Sequence, residues 1–117
     1  MTARVLAWVL EQLQHNSPVV LATVVGTKGS VPGKSGARLA MNRSQNWVGT
    51  VGGAGLEHRI LNRCKELLQE TKATSEVHTF GLNKGAKGYE VQPLDSLCGG
   101  QVTISLELML PMPHILL

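Results

Sequence analysis

Residues 19–27, VVLATVVGT, are almost entirely apolar and rich in β-branched side chains. The run is far shorter than the ~20 apolar residues of a membrane-spanning helix. It reads as a central strand buried on both faces. The rest of the chain must therefore supply a sheet around it and apolar cover for that sheet.

Two segments have the period to do so. Val5, Leu6, Val9, Leu10 and Leu13 recur at spacings of three and four, which predicts an amphipathic helix from Thr2 to about Gln14, stopped by Asn16-Ser17-Pro18. Leu56, Ile60, Leu61, Cys64, Leu67 and Leu68 repeat the pattern and predict a second helix from about Gly55 to Thr71. After the loop KGSVPGKSG, Ala37 to Met41 and Asn46 to Thr50 read as a hairpin turning at Asn42-Arg43-Ser44-Gln45. SEVHTFGL (75–82) alternates as a strand, NKGAKG reads as a loop, and QVTISLELML (101–110) reads as a last strand. The order α-β-β-β-α-β-β predicts a single α+β domain, with two main amphipathic helices packed on a mixed β-sheet. A chain of 117 residues is long enough for one such core.

Charge and composition remove several classes of function. The start, Met1-Thr-Ala-Arg-Val, has no secretory pattern, so a cytoplasmic location with no membrane partner is expected. The net charge is only +3, but no Asp or Glu occurs between Gln12 and Leu56, where Lys28, Lys34, Arg38 and Arg43 all fall. That half should attract anions. Nucleic acid is disfavoured because Trp8, Trp47, Phe80 and Tyr89 are too few and too scattered to stack bases. Zinc is not expected: there is no Cys-x-x-Cys, and His58, Cys64, His78 and Cys98 have no standard ligand spacing. No Ser-His-Asp order, carboxylate pair or Walker lysine is present, so nothing identifies an enzyme.

Three glycine clusters remain. In GTKGSVPGKSGARL (26–39) four glycines, Pro32, Lys28, Lys34 and Arg38 form a basic loop, which is either a binding loop or a solvated surface loop. In GTVGGAGLEHRI (49–60) a strand enters, Gly52, Gly53 and Gly55 turn, and a helix leaves. Such a corner either binds phosphate at the helix start or only allows a tight turn, with Glu57 suiting the helix dipole. It is a poor dinucleotide fingerprint, because His58 stands where the third glycine belongs. In SLCGGQ (96–101), Gly99 and Gly100 let a ligand or another backbone approach Cys98. Cys98 is then either a thiol at the start of a strand or one that faces a ligand. Cys64 lies on the apolar stripe of the second helix and reads as a small hydrophobe.

VVLATVVGTKGSVPGKSGARLAM, WVGTVGGAGLEHRI and SLCGGQVTI, in that order, resemble the N-terminal domain of the XdhC/CoxI family, accessory proteins that mature xanthine dehydrogenase and related molybdenum hydroxylases. The resemblance implies a non-catalytic factor that binds molybdenum cofactor (molybdopterin), helps its sulfuration by a cysteine desulfurase and delivers it to the apo molybdenum hydroxylase. The implied ligand-facing positions are Gly29, Ser30, Pro32, Gly36, Ala37 and Arg38, then Gly52, Gly53 and Glu57, then Cys98, Gly99 and Gly100. Gly55 belongs to the same corner, and Cys98 is the implied contact to molybdenum or sulfur. Two departures stand out: Pro32-Gly33 replaces the family's Pro-Arg, with Lys34 as a substitute charge, and Gly53-Ala54 interrupts its glycine run. The family commonly continues into a Rossmann-like domain. Residues 1–110 thus resemble its N-terminal domain, and 111–117, ending in PHILL, the linker and first strand of the next one. A free strand there would favour a homo-oligomer. The alternatives are a docking or dimerisation domain without its own cofactor site, and a phosphate- or nucleotide-binding enzyme domain.

Overall fold

The central strand organises the molecule as its composition requires. The structure is a computed structural model that describes residues 2–31, 34–85, 88–92 and 99–111. Helix α1 (Thr2–Gln14) precedes β1 (Val19–Lys28), the hairpin β2 (Arg38–Asn42) and β3 (Trp47–Gly49), helix α2 (Ala54–Leu67), then β4 (Thr74–Gly85), β5 (Gly88–Gln92) and β6 (Gly100–Met109). The six strands form one sheet in the order β3-β2-β1-β6-β4-β5. β1 lies inside it, flanked by β2 and β6.

From Val19 to Val24 every residue of β1 is buried, and alternate side chains enter two different cores. Val20, Ala22 and Val24 join Leu39, Met41, Ile104 and Leu106 beneath Leu56, Ile60, Cys64 and Leu67 of α2. Val19 and Leu21 join Ala40 beneath Val5 and Val9 of α1, with Trp8 and Leu13 at the margin. The two helices therefore cover opposite faces. From Val25 onward β1 is mostly exposed, because α1 packs on β1, β2 and β3 without reaching over this end. Burial on both faces is a property of the first half of the strand only.

The α+β architecture follows the sequence reading, and two details differ from it. The sheet is antiparallel at each of its junctions rather than mixed. The helical crossover through α2 joins β3 to β4, which run in the same direction but are separated by β2, β1 and β6, so no parallel neighbours result. NKGAKG is not simply a loop: β4 continues to Gly85, which pairs with Gly88 of β5. A short hairpin with glycine on both sides needs no long polar connection. Residues 113–117, expected to begin a further strand, lie outside the described residues.

Polar contacts close the helix ends and turns. Arg43, in the β2–β3 turn, donates from Nε to the carbonyl of Leu68 at 3.3 Å, placing a cation at the C-terminus of α2. Buried Asn42 donates to Gln12 Oε1 at 2.9 Å and accepts from the Asn46 N–H at 3.0 Å, which ties α1 to the hairpin. Because Ile60 is wholly buried in the larger core while Leu10 is 55% exposed, Ile60→Ala should cost about 2–5 kcal/mol. Leu10→Ala should stay within about 0.5 kcal/mol; urea denaturation of both variants measures the contrast.

Candidate functional site

The register of the sheet brings the three glycine motifs to one end. β1, β3 and β4 run towards that end, and β2 and β6 begin there, since Lys28 faces Gln101, Thr23 faces Arg38 and Leu82 faces Gly100. The first motif is the loop from β1 to β2, the second leads from β3 into α2, and the third opens β6.

The first and third motifs touch through their backbones. A Cβ on Gly100 would fall 2.5 Å from the Ser30 carbonyl oxygen and 2.7 Å from that of Lys28. Only a residue without a side chain lets the β1–β2 loop close onto the start of β6. Beside it, Gly99 has φ +102°, and a Cβ there would strike the Leu82 carbonyl. Gly29 approaches both glycines from the other side. Pro32, Gly33 and Cys98 lie outside the described residues.

The second half of the basic loop reaches the glycine corner. The Gly36 N–H donates to the Val24 carbonyl at 2.7 Å, and the Val24 N–H donates to Ala37, so the loop returns along β1. Arg38 Nη1 donates to the Gly36 carbonyl at 3.3 Å. Its own carbonyl accepts from the Thr50 N–H at 3.0 Å, which joins the first motif to the second. Val31 and Ala37 pack on the same apolar cluster as Val51, Leu56 and Leu82, so one core supports all three segments. The corner is nevertheless three strand spacings from β6, about 14 Å along the sheet. A single phosphate cannot reach both ends, whereas an elongated ligand can.

The corner is held from within by Glu57. Its Oε1 accepts from Thr50 Oγ1 at 2.5 Å and from the Val51 N–H at 3.2 Å, while Thr50 Oγ1 accepts from the Gly52 N–H at 3.1 Å. Gly53, at φ +79°, is the N-cap of α2 and offers no side chain for capping. Glu57 therefore acts here as a positioning residue for the turn. Thr50 is the partner that sequence reasoning missed; a hydroxyl just before a glycine corner, with a carboxylate in the following turn of helix, was the available signal.

The electrostatics favour an anion. Among the described residues, Lys28, Lys34 and Arg38 take part in no ion pair with an acid. Their charge and the backbone N–H groups of the glycine turns suit an anionic ligand. Cys64 offers no second thiolate: it is wholly buried in the core, and burial pushes its thiol up to about 12.

A second polar cluster, not foreseen from spacing, lies where α2 crosses β4. Arg63 grips Glu76 with two hydrogen bonds of 2.7 Å, and His78 Nε2 contacts the same carboxylate. The hydrogen bonds from Arg63 hold the Glu76 carboxyl at about 2, below its ordinary 4.5. A groove of about 310 Å³ beside it is lined by Arg59, Ile60, His78, Phe80 and Leu106.

Two predictions follow from this geometry. Gly100→Ala should destabilise the protein by about 1–3 kcal/mol, since besides the Val31 side chain it meets the backbone carbonyls of Ser30 and Lys28, which cannot turn aside, whereas Gly36→Ala meets nothing within 4 Å and is penalised only by its φ of +92°; thermal unfolding of each distinguishes them. For Glu76 the folded state binds its proton more weakly than the unfolded state. The stabilisation is thus present above pH 4.5 and lost as the pH falls towards 2. The stability gap between wild type and Glu76→Gln should accordingly shrink between pH 5 and pH 3 in urea titrations.

No curated protein matches the chain. A solved structure described as a xanthine dehydrogenase from Bacillus halodurans superposes with a TM-score of 0.59 at 25% identity, covering 86% of this chain. The chain spans only 29% of that protein's length. The profile of the XdhC and CoxI family matches residues 12–81, a range that takes in the central strand, the basic loop and the glycine corner and stops before Cys98. With more than half of its length matched, and its first two glycine motifs inside the match, the chain belongs to the XdhC and CoxI family.

Proposed function

We propose that this domain is an accessory maturation module for xanthine dehydrogenase-type molybdenum hydroxylases, and that molybdenum cofactor is its cargo. The observation that carries this reading is the meeting of three glycine motifs at one end of the sheet, joined through Gly100 against Ser30 and through the Arg38 carbonyl to Thr50. Membership of the family and the likeness to a protein described as a xanthine dehydrogenase support it.

On this reading the phosphate of the cargo is held by backbone N–H groups of the glycine turns together with Lys28, Lys34 or Arg38, and Glu57 keeps the corner open by bonding Thr50 and Val51. The thiol of Cys98, which directly precedes Gly99 and Gly100 in the chain, is the soft donor for molybdenum or for the sulfur step. Sulfuration requires a cysteine desulfurase, and delivery requires the apo-hydroxylase. When bound, the cargo supplies the redox-active molybdenum dithiolene, while the domain binds, shields and presents it. The module itself is not a catalyst.

The test is co-purified molybdenum and pterin fluorescence on the wild type beside Cys98→Ala and Arg38→Ala. Stoichiometric cofactor on the wild type is expected, with at least about tenfold weaker retention in each variant, equivalent to the loss of one charge-assisted contact. Folded protein without cofactor in every case would replace the carrier by a docking domain.

A further inference from the structure

Among the described residues, a stretch of sheet edge on the far side from the glycine motifs is left open. β5 pairs with β4 only from Gly81 to Gly85, whereas β6 pairs with β4 from Thr74 to Leu82. Among the described residues, nothing pairs with the outer side of β4 between Thr74 and Phe80. An unpaired strand of this length presents a row of backbone donors and acceptors to any strand that fits it.

The side chains along this edge specify which strand fits. Glu76, His78 and Phe80 face the α2 side, as the Arg63–Glu76 bonds and the packing of Phe80 on the larger core show. Val77 and Thr79 face the other side, where Thr79 Oγ1 lies 3.0 Å from Thr103 Oγ1 and Val77 is 63% exposed. When two copies extend one sheet about a two-fold axis, opposite residues must share a face. Glu76 can then oppose Thr74, Glu76, His78 or Phe80 of the second copy.

Centring the axis on Glu76 sets carboxylate against carboxylate. Centring it on His78 sets imidazole against imidazole and Glu76 against Phe80. Only the axis through Val77, the midpoint of the open edge, pairs the whole segment: Glu76 opposes His78 twice, Ser75 opposes Thr79 twice, and Thr74 opposes Phe80. Directly opposite residues are about 4.5–5.5 Å apart, within reach of an ion pair or hydrogen bond. We propose that Thr74–Phe80 is a self-recognition edge, through which two copies of this chain join β4 to β4 in antiparallel register about Val77. A closed, isologous interface of this kind uses up the edge that would otherwise recruit further strands. The inference is independent of the cofactor reading and uses a different segment from residues 113–117.

Val77 supplies a clean test because its side chain is exposed and packs in neither core. In sedimentation equilibrium the wild-type chain should behave as a dimer. Val77→Lys places like charges face to face on the axis and should raise the dissociation constant at least about tenfold, with the melting temperature of the separated chain unchanged. Val77→Cys in a Cys98→Ser background should form an intermolecular disulfide on mild oxidation, since opposite Cα atoms in a sheet fall within disulfide range. Val25→Cys, also exposed but two strands away from β4, should not. A monomeric wild type, a dimer that survives Val77→Lys, or cross-linking at Val25 but not at Val77 would overturn the proposal.

Discussion

The first half of β1 belongs to two cores at once. Val20, Ala22 and Val24 point towards α2 and Val19 and Leu21 towards α1, so this strand couples the two layers that make the fold. Each helix has a single strongly buried stripe, and neither could hide it without the strand between them. β2 and β6 flank β1 on its two sides and pass that burial outward through Leu39, Met41, Ile104 and Leu106.

The glycine motifs depend on this frame. Glycine makes a loop permissive rather than defined, and the definition comes from outside: Val31, Ala37, Val51 and Leu56 anchor the loops to the larger core, and β-sheet register sets Gly100 against the end of β1. The anion-attracting character of that end arises in the same way. Lys28, Lys34 and Arg38 are spread over the first motif, and folding places them where, among the described residues, no carboxylate pairs with them. Glu57, the acid of the glycine corner, is already engaged by Thr50 and Val51.

Elements with a clear period were legible. The two helices, the buried strand and the β2–β3 hairpin follow from apolar spacing and turn residues, which report local structure directly. The extension of β4 past Leu82 and the short β5 were not legible, because glycine-rich NKGAKG carries no apolar alternation, while Asn83, Lys84 and Gly85 enter the sheet by pairing with β5. The direction of neighbouring strands was equally hidden: a helical crossover usually joins parallel neighbours, but here α2 passes over three strands. Glu57 was recognised as important to the corner, yet its attachment to Thr50 depends on a turn geometry that spacing does not encode.

The amino-acid sequence by itself determined which segments must be buried, where the turns fall, that the acid-free first half attracts anions and that Cys64 is a core residue. Each is a property of neighbours along the chain. The tertiary structure alone decided that three separate glycine loops share one end of the sheet, that Arg63, Glu76 and His78 meet, and that β4 from Thr74 to Phe80 has no partner on its outer side among the described residues. Those outcomes depend on strand order and register, which are set by contacts between residues far apart in the chain and leave no local periodic trace.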